Sequence, residues 1–181
     1  MRCRRRQGAD IGAEDELARH LAAHGVADLP LTGPDLIALA ADRDWEPGPA
    51  QAALARPAWW AAHDTDWGPI WHDLAAAAAG HSPAALILLT RAAITGATLD
   101  TPPSRHTQRF QQGASTAIAA CYSSGQPLPA GFLAALADGA PAHIAPKPEH
   151  VRTAVAAELR TLGVPDPDAT AITLLPEASL T

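Results

Sequence analysis

Alanine fills about a quarter of the 181 positions, and this limits the fold more than any motif does. Alanine is the best helix former, but it brings little area to a core. Such a chain must therefore stack many helices closely, with thin side chains between them. Seventeen prolines and thirteen glycines keep those helices short. Apolar residues make up 48 % of the chain, enough for one core, and the length suits one domain with short tails. There is no internal repeat and no convincing β alternation. The expected class is all-α, a compact domain of about seven to nine short helices. Residues 1–10 are expected to be a disordered basic arm, 11–163 the helical domain, and 164–181 an acidic, proline-rich tail. Arginine outnumbers lysine twelve to one, the composition of a GC-rich bacterial genome, which carries no functional information.

Local signals place the helices. Glu14, Asp15 and Glu16 sit in the first turn of a helix expected from Ala13 to His24, with Gly25 after it. Further helices are expected at 34–41, 49–55, 57–63 and from Asp64–Asp66 to Ala79. Ser82-Pro83 is the clearest start signal, an N-cap followed by proline at the first helical position. The helix it opens, 83–95, is apolar nearly all round and is expected at the centre of the domain, with Gly96 ending it. A long helix over 103–124 should bury Phe110, Ala114, Ala117, Ile118 and Cys121 and turn Gln108, Gln111, Gln112, Ser115 and Ser123 outward. A short helix at 129–138 and another ending at Gly163 follow. Residues 169–175 suit one more turn or a strand.

Five tryptophans crowd between positions 45 and 71: Trp45, Trp59, Trp60, Trp67 and Trp71. Three roles fit them. They can form an exposed surface for a protein partner, since tryptophan is enriched in binding hot spots. They can wall a ligand pocket by stacking. They can also form a satellite core that supplies the bulk alanine lacks. His63, Asp64, Asp66, His72 and Asp73 lie in the same stretch as a candidate polar site. Two His-Asp dipeptides echo metal phosphohydrolases, but the further ligands such enzymes need are not obvious in the chain, and Asp64 and Asp66 are also explained as N-caps. On one continuous helix His63 and His72 would point to opposite faces, although Gly68-Pro69 starts a new helix between them.

Weaker candidates remain. Glu16, His20 and His24 are spaced by four, so His20 and His24 could share a zinc; Leu21 stands where the zincin pattern needs glutamate. Arg2, Arg4, Arg5 and Arg6 could lie along phosphates, with salt-sensitive affinity. The rest of the chain carries 9 basic against 19 acidic side chains, which repels nucleic acid. The 34–55 helix pair resembles a helix-turn-helix only in outline, because Gln51 is its one base reader. Two cysteines, Cys3 and Cys121, make neither a disulfide framework nor a zinc ribbon. The most apolar stretch, 84–99, carries Arg91 at its middle and is too short to span a bilayer. No phosphate loop, dinucleotide-binding glycine motif or GxSxG elbow occurs. The expectation is a cytoplasmic, non-enzymatic protein-interaction domain without a cofactor, acting through the tryptophan-rich surface on a protein partner or a second copy of itself, with nucleic acid reached only through the arm. The alternative is a ligand-binding or metal-dependent enzyme using His63, Asp66 and His72 in a tryptophan-walled pocket.

Overall fold

A computed structural model describes residues 33–40, 42, 44–56, 69–99, 101–138, 140–141 and 143–176. Among these residues the protein is all helix, without a strand, in eight α-helices: α1 (Gly33–Ala40), α2 (Gly48–Leu54), α3 (Pro69–His81), α4 (Pro83–Leu99), α5 (His106–Ser123), α6 (Phe132–Ala137), α7 (Pro148–Thr161) and α8 (Pro167–Leu174). The arm, the helix expected at 13–24 and the one at 57–63 lie outside the described residues. No described helix is long and apolar enough to cross a membrane.

The helix ends follow from local chemistry. The Ser82 hydroxyl accepts from the Ala85 amide at 3.0 Å, so the Ser-Pro start of α4 works as a cap. Both α5 and α7 close on a left-handed glycine. Gly125 (φ 69°) and Gly163 (φ 75°) let Gln126 N–H reach the Cys121 carbonyl and Val164 N–H reach the Leu159 carbonyl, which is the Schellman closure. Three boundaries differ from the sequence reading. Gly80 lies inside α3, and α4 runs past Gly96 to Leu99, because burial of Gly96, Ala97 and Thr98 outweighs the helix-breaking tendency of one glycine. The long helix expected from 103 starts only at His106: a 3-10 turn (Pro103–Arg105) leads into it, and before that turn the Thr101 hydroxyl donates back to the Ala97 carbonyl at 2.7 Å.

Two helices share the interior. α4 packs on α2, α3, α5 and α6, and α5 packs on α3, α4 and α7. Each buries ten residues. α4 keeps an exposed stripe at Arg91, Thr95 and Leu99, whereas α5 is enclosed on every side from Gly113 to Cys121. Ser115, expected outward, is therefore buried. Its hydroxyl is satisfied by the Gln112 carbonyl of its own helix at 3.0 Å, which removes most of the penalty of burying it. The segment beyond Gly163 holds α8, not a strand. Asp166 caps it by accepting from the Ala169 amide at 3.2 Å, and Arg152 of α7 clamps its far end with two bonds to the Leu175 carbonyl.

Candidate functional site

α3 carries the described part of the tryptophan-histidine stretch. It starts at Pro69, so Trp71, His72 and Asp73 fall within its first five residues, and each faces a different environment. Trp71 points inward and is 2 % exposed. Its indole N–H donates to the Gly113 carbonyl of α5 at 3.3 Å, so the ring is a core wedge with its polar atom satisfied. Trp45 is also buried, 5 % exposed, with its ring edge-on to His81 at 5.5 Å. Its indole nitrogen is the one buried side-chain polar atom without a partner among the described residues. Both tryptophans leave the expected interaction surface and belong to the core. The physical reason is the one alanine imposes: a close-packed Ala-rich interior lacks bulk, and these rings supply it. Trp59, Trp60, Trp67, His63, Asp64 and Asp66 lie outside the described residues, as do His20, His24, Arg2, Arg4, Arg5 and Arg6.

His72 and Asp73 meet a residue that no local pattern in the chain pairs with them. The Ser123 hydroxyl, at the C-terminus of α5, lies 3.1 Å from His72 Nε2. His72 Nδ1 lies 3.5 Å from the Asp73 carboxylate. Serine, histidine and aspartate in that order resemble a nucleophile with its base and orienter, but the surroundings oppose that chemistry. Ser123 also bonds the Ala120 carbonyl at 3.1 Å, and a hydroxyl has one proton to give. When it goes to Ala120, His72 must donate and cannot act as base. The neighbouring groups at this helix end are carbonyls, among them Ala120 O, which also accepts from Ser124. An oxyanion needs N–H donors, and the C-terminal end of a helix offers the opposite sign. Asp73 is largely exposed, so its hold on the imidazole is weak. The trio works as a side-chain tie between α3 and the end of α5.

Several other nucleophilic groups among the described residues are spent on structure. Thr90, Thr95 and Thr98 donate to carbonyls one turn back. Thr116 reaches across to Glu158 of α7 at 3.4 Å. Burial pushes the Cys121 thiol up from 9.0 to about 11, which leaves almost no thiolate at neutral pH. Among the described residues no group of three histidines, cysteines or acids is placed to hold a metal ion. Large apolar side chains do reach the surface: Leu99, Tyr122, Leu162 and Ile172. No protein-family model, curated protein or solved structure matches this chain.

Proposed function

We propose that this chain is a non-enzymatic protein-interaction domain, an adaptor, regulatory or assembly component of the cytoplasm. The observation that carries the reading is the structural commitment of the reactive side chains: the hydroxyls above bond helix carbonyls or tie helices together, and Cys121 is held as a thiol. A body whose nucleophiles are occupied in this way is suited to presenting a surface. With Trp45 and Trp71 in the core, the reading assigns the contact to Trp59, Trp60 and Trp67, helped by exposed Tyr122, Leu162 and Ile172. Buried aromatic anchors with an apolar surround are what protein interfaces use. The partner is a second copy of the chain or another protein.

The test combines light scattering over a wide concentration range with acrylamide quenching of tryptophan fluorescence. Reversible self-association that shields quenchable tryptophans, and that Trp59→Ala/Trp60→Ala/Trp67→Ala abolishes, supports a homo-oligomer. A monomer with quenchable tryptophans points to a different protein as partner. A monomer at every concentration whose five tryptophans all resist acrylamide defeats the reading.

A further inference from the structure

A cleft of about 230 Å³ opens between α4, the start of α5, the end of α6 and the loop that follows. Its inner side is apolar and fixed, formed by the buried side chains of Ile94, Phe110, Leu136 and Ile144. Its mouth carries Arg91, Thr95 and Asp138. Arg91 donates one N–H to the Asp138 backbone carbonyl at 2.9 Å. No carboxylate pairs with Arg91 among the described residues, in a chain with six more acidic than basic side chains. A guanidinium has five donors in a planar fork that fits a carboxylate. Here that fork is anchored by one bond, which leaves the others to the cleft mouth. The Thr95 and Thr98 hydroxyls donate to α4 carbonyls and so supply no competing donors.

We infer that this cleft binds a small organic monocarboxylate, with the carboxylate on Arg91 and a short apolar group against Phe110, Leu136 and Ile144. The volume is below the about 300 Å³ of ordinary ligand pockets, which limits the apolar group to about one aromatic ring. Asp138 is the built-in competitor. Its exposed carboxylate sits at the same mouth and repels an incoming carboxylate.

Phenylacetate is the probe, and its neutral isostere phenylacetamide is the control. Both are titrated into the full chain and followed by amide chemical shifts. Phenylacetate should shift the Arg91, Thr95 and Ile144 amides saturably, and phenylacetamide should bind about tenfold more weakly, having lost a charge-assisted pair. Arg91→Gln should weaken phenylacetate to the level of the amide. Asp138→Asn alters only an exposed side chain, so its fold is safe, and it should tighten phenylacetate severalfold. Absence of saturable shifts at these amides overturns the proposal. Equal binding of acid and amide overturns it too, as does an Asp138→Asn protein that binds no tighter.

Discussion

Trp71 offers a direct way to test whether the tryptophan stretch is core. Trp71→Phe keeps an aromatic ring on α3 but removes the indole N–H that reaches the Gly113 carbonyl at 3.3 Å. That carbonyl lies inside α5 and keeps its intrahelical partner, so the loss is one net hydrogen bond, about 1 kcal/mol. The smaller ring leaves a void at a site only 2 % exposed, which costs about 1 kcal/mol more. Trp71→Phe should therefore lose about 2 kcal/mol, and Trp71→Ala about 3–5 kcal/mol. The second figure is a large share of a typical stability of about 5–15 kcal/mol. The assay is denaturant unfolding followed by far-UV circular dichroism, with the slope checked for constancy so that the midpoint reports stability. A Trp71→Ala protein within about 0.5 kcal/mol of wild type would place the ring at the surface and refute the packing argument.

Other outcomes follow from the same contacts. In the Trp59→Phe/Trp60→Phe/Trp67→Phe protein, only Trp45 and Trp71 remain, and their emission should be blue-shifted and resistant to acrylamide. Gly163→Ala should cost about 1 kcal/mol, because only the left-handed backbone opposes it and no atom crowds the added carbon. Gly80→Ala, inside α3 with equally open space, should instead stabilise by about 0.5–1 kcal/mol; both are read by thermal unfolding. Cys121 stays protonated in the fold up to about pH 11, whereas the unfolded chain ionises from about 9. Its contribution is therefore complete below pH 9 and shrinks as the pH rises from 9 to 11. Denaturation of wild type and Cys121→Ala across that range should show the difference narrowing. A fluorophosphonate probe should leave Ser123 unlabelled, and labelling that His72→Ala abolishes would contradict the reading of the trio as a structural tie.

The parts of this fold that can be read from sequence are those written in consecutive residues. Ser82-Pro83 names the start of α4, and Gly163 the end of α7, because caps are local. Asp166-Pro167 is the same cap-proline signal as Ser82-Pro83, yet α8 is hard to foresee, since the prolines around it suggest an irregular tail and its short apolar run has no period. Length resolves it only when α7 offers a surface to pack against. Burial is less legible. A tryptophan at helical spacing looks the same whether its face meets solvent or α5, and Ser115 looks outward because periodicity assumes that only one side of a helix is covered. The Ser123–His72 contact joins residues 51 apart and leaves no trace in either neighbourhood. The cleft beside Arg91 is equally hidden, being assembled from α4, α5, α6 and a loop, with an arginine that the sequence presents only as an interruption in an apolar run.

The enclosure of α5 has a consequence for how the chain holds together. From Gly113 to Cys121 the helix offers mostly alanine-sized side chains to all its neighbours, so it has little affinity for any one of them and gains its stability from being surrounded. α3 and α4 cover it from upstream in the chain and α7 from downstream. Neither half of the shell suffices alone, so the two sides of the molecule must melt together. A nick in the exposed stretch 122–127 would yield two pieces that are each mostly unstructured yet complementary, and mixing them should restore helicity that neither shows separately.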